Sequence, residues 1–390
     1  MNAVNHKRVF EYLTGHSGEM VALLESLTRA ESPSSVATTQ FPVQDILAEE
    51  FEQLGFRVRR LSGDTSGGCL LASPVDRDKG KSMQLLLGHL DTVWPVGTIE
   101  KMPFKVDGNI IKGPGVFDMK GGVVQIIFAL RALRDLRLVP DITPLVFLNS
   151  DEEIGSRESA NYICTLAKRV ERAFVMEPAL GIDGAIKTAR KGVGRFTVRV
   201  SGKAAHAGLD PGSGASAILE LSHIIQVLFE MNDPDKGISV NVGTIDGGIR
   251  PNVIAPESKA VIDVRVATKA DAEMIEAKIR RIKPQTPGVT LHIDGFIGRP
   301  PLEPTPANRA LWNQARDIAR KLDLELTEGM AGGGSDGSTT SQYTATLDGM
   351  GPVGDGAHAD HEHLLLDKTI ERAALLALLI LAPTINRAAT

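Results

Sequence analysis

A chain of 390 residues, 42% hydrophobic and 23% charged, is long enough for two globular domains with large cores. Its formal net charge of −5, from 43 Lys+Arg and 48 Asp+Glu, argues against a protein built to coat nucleic acid. The two cysteines, Cys69 and Cys164, form no Cys-x-x-Cys pair, so neither a disulfide framework nor a cysteine-based zinc site is expected.

The sequence shows no targeting or membrane-spanning segment. Residues 1–8 are polar, and they lack the apolar core of a signal peptide. The longest apolar stretch, at 373–382, is too short to cross a bilayer. We therefore expect a cytoplasmic protein.

The first half of the chain predicts strands that alternate with helices. Apolar residues recur at helical spacing over 9–29 and 43–54, and Gly55 is well placed to end the second stretch. Further predictions are strands at 57–61, 69–72, 83–87, 145–148 and 173–176 and helices at 123–136 and 158–169. This alternation predicts an α/β fold, with a mostly parallel sheet and helices on both faces.

Near Gly192 the pattern changes to alternating apolar and polar residues, which is typical of half-exposed strands. The predicted elements are a strand at 196–200, a helix at 215–230, strands at 238–245 and 260–266, a helix at 270–283 and a strand at 289–293. This βαββαβ order is the ferredoxin-like α+β arrangement. Helices at 308–322 and 367–381 resume the earlier style. We predict a discontinuous first domain, residues 1–190 and 300–390, with an inserted domain at 191–299.

Side chains that bind metals stand where predicted strands end or in nearby loops. They are His89, Asp118, Glu153, Glu177 and His358. Because ligands gather at the carboxyl ends of strands in open α/β sheets, we expect these side chains to converge. Imidazoles and carboxylates without thiolates suit Zn²⁺, Co²⁺ or Mn²⁺. Three carboxylates would repel one another, and two divalent cations would remove that conflict.

The five residues divide naturally between two ions. Asp118 is the predicted bridge, because one carboxylate can give an oxygen to each of two ions about 3.5–4 Å apart. His89 and Glu177 would complete one site, and Glu153 and His358 the other.

Two acids beside these ligands have predicted roles of their own. The side chain of Glu152 must diverge from that of its neighbour Glu153, so Glu152 is the predicted general base. It would take a proton from the attacking water and give it to the leaving nitrogen. Asp91, two residues after His89, is predicted to accept a hydrogen bond from that ring and fix its tautomer.

Together these motifs resemble the two-zinc metallopeptidases that include aminoacylase, succinyl-diaminopimelate desuccinylase, acetylornithine deacetylase and the bacterial glutamate carboxypeptidases. The motifs are His89-x-Asp91-Thr92, Gly115-Val116-Phe117-Asp118-Met119-Lys120-Gly121, Asp151-Glu152-Glu153-x-Gly155, Glu177-Pro178 and Gly356-x-His358-x-x-x-Glu362. The resemblance covers nearly the whole chain and is strongest to the glutamate carboxypeptidases. It implies that the five ligands bind two zinc ions, that Glu152 is the base, and that the Asp118–Met119 peptide bond is cis.

The resemblance also implies residues that contact substrate. His206, in Gly202-Lys203-x-x-His206, would reach across a homodimer formed by the inserted domain and donate to the scissile carbonyl oxygen. The alternative is that His206 caps the turn after it. Asn252 resembles a substrate-contacting asparagine.

Three further positions are candidates for binding a substrate carboxylate. Arg265 resembles a carboxylate-binding arginine, although an arginine on such a strand can also be merely solvated. Arg299 is a second candidate, and Gly333, in the loop 332–334, could offer backbone N–H groups to an anion. One position departs from the glutamate carboxypeptidases, because Ala185 stands where they carry a lysine. The pocket for a glutamate side chain is therefore expected to differ.

These observations favour metal-dependent hydrolysis of an amide bond that releases a C-terminal amino acid. The first alternative is deacylation of an N-acyl amino acid by the same centre. The second is a non-catalytic dimeric binding protein, which the intact ligands and base disfavour. The expected substrate is a small peptide or N-acyl amino acid, and neither nucleic acid nor a membrane is an expected partner.

Overall fold

The computed structural model describes residues 3–385, so the predictions that extend to residues 1–2 and 386–390 reach outside the described chain. The described residues form two compact units. The first contains the described parts of Met1–Thr188, Pro304–Met330 and Ser335–Thr390. The second contains Ala189–Glu303 and Ala331–Gly334. Within the described residues, no helix is both long and apolar enough to cross a membrane.

The regular elements are numbered in chain order. The helices are α1 (Ala3–Gly15), α2 (Ser17–Arg29), α3 (Phe41–Gln53), α4 (Thr98–Lys101), α5 (Gly121–Asp135), α6 (Ala160–Ala167), α7 (Ala217–Phe229), α8 (Lys269–Arg280), α9 (Pro306–Ala319), α10 (Asp336–Thr340) and α11 (Leu366–Leu381). The strands are β1 (Phe56–Leu61), β2 (Cys69–Pro74), β3 (Met83–His89), β4 (Lys105–Asp107), β5 (Ile110–Lys112), β6 (Thr143–Asn149), β7 (Arg172–Val175), β8 (Ile186–Arg190), β9 (Gly192–Ser201), β10 (Ser239–Gly247), β11 (Glu257–Val266), β12 (Thr290–Arg299), β13 (Glu328–Ala331), β14 (Ala345–Leu347), β15 (Gly354–Asp355) and β16 (His363–Leu365).

The first unit is built on a six-stranded sheet with the order β1-β2-β6-β3-β7-β14. Strands β6, β3, β7 and β14 run parallel, and β1 and β2 add an antiparallel edge. Alternate residues of β3 enter two different cores. Leu86 packs with residues of α5 and α11, whereas Leu85 and Leu87 pack with Ile163 of α6. Helices therefore cover both faces, which confirms the predicted α/β fold class.

One predicted helix of the first unit is wrong in its extent. The apolar spacing over 9–29 predicted a continuous stretch, but the structure has α1 and α2 with a break at His16. His16 has φ −107° and ψ 14°, outside the helical region. Apolar side chains of both helices face the same core, so their spacing does not reveal the break.

The second unit contains a four-stranded antiparallel sheet with the order β10-β11-β9-β12. Phe196, Val198 and Val200 of β9 are buried on one face, against apolar residues of α7 and α8. Each helix begins at a hydroxyl residue: Ser216 accepts from Leu219 N, and Thr268 accepts from Asp271 N. The chain order βαββαβ and this strand order form the predicted ferredoxin-like arrangement.

Candidate metal centre

Three adjacent strands of the main sheet bring acids and a histidine to one edge. β3 lies between β6 and β7 and runs parallel to both, with His89 opposite Asn149 and Leu87 opposite Val175. His89 is the last residue of β3, Glu153 follows β6, and Glu177 follows β7. Because the carboxyl ends of the three strands are level, the side chains that follow them lie close together.

Two loops complete the cluster. Asp118 lies in the turn Val116–Lys120 that leads into α5, and the Asp118–Met119 peptide bond is cis, as predicted. His358 lies between β15 and β16 and has φ +62°. The structure thus brings together in the first unit the five residues that the sequence predicts as metal ligands.

Asp118 stands between the two histidines. Its Oδ1 is 3.3 Å from His89 Nε2, and its Oδ2 is 3.5 Å from His358 Nε2. His89 Nε2 is also 3.6 Å from Glu177 Oε1, and His358 Nε2 is 3.1 Å from Glu153 Oε2. Each oxygen of Asp118 therefore faces a separate imidazole–carboxylate pair, which is the division predicted for two ions.

The donor atoms are close enough to share cations. One ligand atom each from His89, Asp118 and Glu153 lie within 4.8 Å of one another, as do one each from His89, Glu152 and Glu177. Glu153 Oε1 is buried without a hydrogen-bond partner. Buried acceptors that converge with few donors fit divalent cations, and the nitrogen and oxygen donor set suits Zn²⁺, Co²⁺ or Mn²⁺. The residues therefore fit a two-metal centre.

The electrostatics of the cluster point the same way. Burial acts to lower the pKa of His89, but hydrogen bonds with Asp118 and Asp91 outweigh it and raise that pKa well above its usual value. Hydrogen bonds with Asp118 and Glu153 raise the pKa of His358 to about 10. Burial also raises the pKa of Glu153. Acids that draw protons onto nearby imidazoles carry excess negative charge, which bound cations would neutralise in place of those protons.

Asp91 is buried and contacts two segments of the cluster, together with Ser34. Its Oδ1 accepts from Glu152 N (3.3 Å), and its Oδ2 accepts from Glu153 N (3.2 Å) and from Ser34 Oγ (2.6 Å). His89 Nδ1 is 3.0 Å from the backbone oxygen of Asp91 and 3.5 Å from its carboxylate. Both acceptors favour a proton on Nδ1, which leaves the Nε2 lone pair directed at the cluster.

Two residues around the Asp118 turn were not assigned roles from the sequence. Glu362, the last residue of the His358 motif, accepts hydrogen bonds from the backbone of this turn. Lys120 is buried, and its Nζ donates to Leu27 O (2.7 Å) and Ala30 O (3.1 Å) near the end of α2. Burial lowers the pKa of Lys120 to about 7. The sequence signal for a buried Lys120 was its position between the apolar Met119 and the pair Gly121-Gly122.

In the second unit, the structure places His206 beside Asn252. The two segments pair through Ala207 N, which donates to Asn252 O (3.0 Å). His206 Nδ1 accepts from Gly208 N and Leu209 N, so this ring nitrogen caps the turn that follows. Because Nδ1 is an acceptor, a neutral ring carries its proton on Nε2 and can donate from there. His206 and Asn252 are exposed.

The arginine candidates of the second unit surround its glycine loop. Arg265 is held by Asp263, through Nε (2.7 Å) and Nη2 (3.0 Å), and its Nη1 lies 3.5 Å from Gly332 O. Arg190 Nη1 donates to Gly333 O (3.1 Å). A Cβ at Gly334 would lie 3.0 Å from Arg299 Cδ, so glycine allows this close approach. The loop carbonyls of Gly332 and Gly333 thus face arginines.

Comparisons with known proteins identify relatives of this chain. The sequence profile of peptidase family M20/M25/M40 matches residues 85–382. Carboxypeptidase G2 of Pseudomonas sp. (strain RS-16) is 27% identical over 376 residues, which are 95% of this chain and 90% of that protein. Succinyl-diaminopimelate desuccinylase of Alkalilimnicola ehrlichii is 25% identical over 363 residues, 88% of this chain and 94% of that protein.

Solved structures share the fold. Aminopeptidase PepT of Bacillus cereus superimposes with a TM-score of 0.76 at 19% identity, covering 95% of this chain and 98% of that one. The M20 metallo-carboxypeptidase Sso-CP2 of Sulfolobus solfataricus has a TM-score of 0.69 at 16% identity, covering 93% of this chain and 98% of that one. At these identities the likeness shows the architecture alone.

Proposed function

The chain belongs to peptidase family M20/M25/M40 and is a metal-dependent hydrolase of amide bonds, and we propose that it is a carboxypeptidase that releases a C-terminal amino acid. The proposal is carried by the position of Asp118, whose two oxygens face His89 and His358 separately. This arrangement supports two ions held by His89, Asp118, Glu153, Glu177 and His358. Zinc is the metal we propose, because imidazole and carboxylate donors suit it and the motifs resemble those of two-zinc metallopeptidases.

The chemistry divides between the cations and the side chains. When bound, the two cations supply Lewis acidity to the scissile carbonyl and make a water molecule acidic enough to act as nucleophile near neutral pH. Glu152 takes the proton from that water and delivers it to the leaving nitrogen. A Glu152 oxygen shares a 4.8 Å cluster with donor atoms of His89 and Glu177, which supports this role. Asp91 orients His89 and fixes the backbone of Glu152 and Glu153.

Substrate recognition is proposed for the second unit, which includes the glycine loop 332–334. Arg265 and Arg299 would bind the substrate α-carboxylate, with Gly333 forming the adjoining loop and Asn252 contacting the scissile amide. The carboxypeptidase relative matches 95% of the chain, which favours a free carboxylate on the leaving group. The bidentate contact of Asp263 with Arg265 fixes the guanidinium before substrate arrives.

A second candidate is deacylation of an N-acyl amino acid. It is favoured by the match to a desuccinylase over 94% of that relative's length. Both reactions break an amide whose nitrogen belongs to an amino acid, so one metal centre serves either. The difference lies in the acyl side of the substrate.

We also propose that the second unit forms a homodimer. β10 lies at an edge of its sheet, and edge strands pair readily with a second copy. Ile218, Ile245 and Ile249 are exposed apolar residues of this unit, and a groove of about 880 Å³ is lined partly by Ile218 and Ile249. In such a dimer, His206 of the partner subunit would donate from Nε2 to the scissile carbonyl oxygen.

A substrate screen on zinc-loaded enzyme tests the reaction. The panel contains dipeptides, γ-glutamyl peptides, folyl glutamates and N-acyl amino acids, each paired with its carboxamide. We expect cleavage only of substrates with a free carboxylate. Activity should be lost with a chelator and restored by Zn²⁺ or Co²⁺. Cleavage confined to short N-acyl groups would select the deacylase. Equal cleavage of acids and carboxamides would contradict the proposed carboxylate contact.

Mixing two inactive variants tests the shared site. Glu152→Gln and His206→Ala are purified separately, unfolded together and refolded, so that hybrid dimers form. If His206 acts across the dimer, each hybrid holds one intact site, and activity returns. If His206 acts within its own chain, each site keeps one defect, and no activity returns. Refolded wild type is the control for recovery.

A further inference from the structure

The carboxylate of Glu362 is buried and accepts four hydrogen bonds. Oε1 accepts from Phe117 N (2.9 Å) and Asp118 N (3.0 Å). Oε2 accepts from Gly115 N (2.8 Å) and from Trp94 Nε1 (2.7 Å). Three of the four donors are backbone amides of the loop that carries the bridging aspartate.

We propose that Glu362 is a positioning residue of the metal centre, which holds the Gly115–Asp118 loop so that Asp118 can serve both ions. The inference rests on the proposed ligand set. Asp118 must direct one oxygen at His89 and the other at His358, so its backbone must be fixed in orientation as well as position. The hydrogen bonds that Phe117 N and Asp118 N donate to Glu362 fix the orientation of the backbone that leads into Asp118.

Glu362 also connects the segments that carry the two histidines. It lies four residues after His358, on the strand side of the same loop. Trp94, which donates to it, lies five residues after His89. One carboxylate therefore contacts the Asp118 loop and the segment after His89, and it shares a loop with His358. Outer partners of this kind orient metal ligands, and their loss typically costs about 10–100-fold in metal affinity or activity.

Replacing Glu362 with glutamine isolates this role. The amide has nearly the same shape, but its –NH₂ group would face N–H donors where Oε1 or Oε2 now accepts two of them. The variant therefore loses acceptors without leaving a cavity. Glu158→Gln is the matched control, because Glu158 also accepts from three backbone amides, those of Asp64, Thr65 and Ser66, and that loop carries no proposed ligand.

The experiment measures zinc affinity by competition with a chromophoric chelator, and the absorption spectrum of the Co²⁺-substituted full chain. Glu362→Gln should bind zinc roughly 10–100-fold more weakly and change the Co²⁺ spectrum. Glu158→Gln should match wild type in both. Wild-type affinity and an unchanged spectrum in Glu362→Gln would overturn the inference. Asp118→Asn separates the two claims: if it also leaves zinc binding intact, the ligand set itself is wrong.

Hydrogen exchange of the wild-type chain covers the case in which Glu362→Gln does not fold. If Glu362 positions the loop, the amides of Gly115, Phe117 and Asp118 exchange slowly in both the zinc-loaded and the chelator-treated protein. Rapid exchange of these amides after metal removal, with slow exchange restored by zinc, would mean that the metal orders the loop and Glu362 does not.

Discussion

The two halves of the proposed metal centre share Asp118 but differ in their surroundings. The His89 side chain is 1% exposed, and it is fixed by Asp91 at the end of a central strand. The His358 side chain is 51% exposed and lies on a loop between two short strands. Each imidazole has a carboxylate neighbour, Glu177 for His89 and Glu153 for His358.

This difference in burial indicates that the two halves bind their ions differently. A buried, pre-oriented ligand set loses little freedom when an ion binds, whereas an exposed side chain must be ordered. We expect the His89 half to hold its ion more tightly. We expect the His358 half to exchange its ion more readily and to be open to water and substrate. The following changes would break or sharpen this contrast.

Asp118→Asn should have the largest effect, because the two oxygens of Asp118 face both halves. The amide keeps one oxygen donor but loses the other and the negative charge, so one site loses a donor atom and both lose the charge that bridges them. We expect loss of zinc from both halves, and a fall in activity beyond the roughly 10–100-fold cost of losing an outer partner. Metal analysis after dialysis measures this. Retention of two zinc ions per chain would contradict a bridging role.

Glu152→Gln should abolish most turnover while leaving both halves loaded. General acid–base catalysis contributes about 10²–10⁴-fold, so kcat should fall by that order with KM little changed. Steady-state kinetics on protein shown to hold two ions separate this outcome from metal loss. If turnover stayed at the wild-type rate, another group would have to be the base.

Asp91→Asn should weaken the His89 half more than the His358 half, which Asp91 contacts only through the backbone amide of Glu153. Its carboxylate accepts from Glu152 N, Glu153 N and Ser34 Oγ, and it lies 3.5 Å from His89 Nδ1. Losing the charge should cost about 10–100-fold in activity. Zinc titration should show the tighter of two binding steps weakened. A change confined to the weaker step would reverse the assignment of the two halves.

His89→Ala and His358→Ala should differ in stability, although each removes one ligand. His89→Ala leaves a cavity and removes the ring that faces Asp91 in the core, which costs about 1–3 kcal/mol. The His358 side chain is half exposed, so its removal leaves no buried cavity. The free energy of unfolding of His358→Ala should therefore be close to that of the wild type. Denaturant unfolding of both variants, after a chelator has removed the metal, measures the difference in stability. Equal losses of stability would show that burial of His89 is not the distinguishing feature.

The convergence of the five proposed metal ligands was predictable because it follows from their residue types and their positions relative to the strands. Imidazoles and carboxylates that directly follow buried strands meet wherever the strands run parallel, and β3, β6 and β7 do so. His358 was assigned from its motif, since no sequence spacing relates it to Asp118. The helices and strands with strong apolar periodicity were predicted because the spacing of apolar residues follows the period of each element.

Other features were beyond reach because residue patterns do not encode them. Backbone amides look the same at every position, so the bonds from Gly115, Phe117 and Asp118 to Glu362 leave no signature. The break at His16 is hidden because both flanking helices bury apolar side chains in one core. The contact of Arg265 with Asp263 was not predicted, although residues two apart on a strand share a face.

Anomalous diffraction from crystals of the zinc-loaded full chain tests the central claim most directly. Two peaks per chain should flank Asp118, one beside His89 and Glu177 and the other beside Glu153 and His358. A single peak, or a pair of peaks that does not have Asp118 between them, would contradict the two-metal centre.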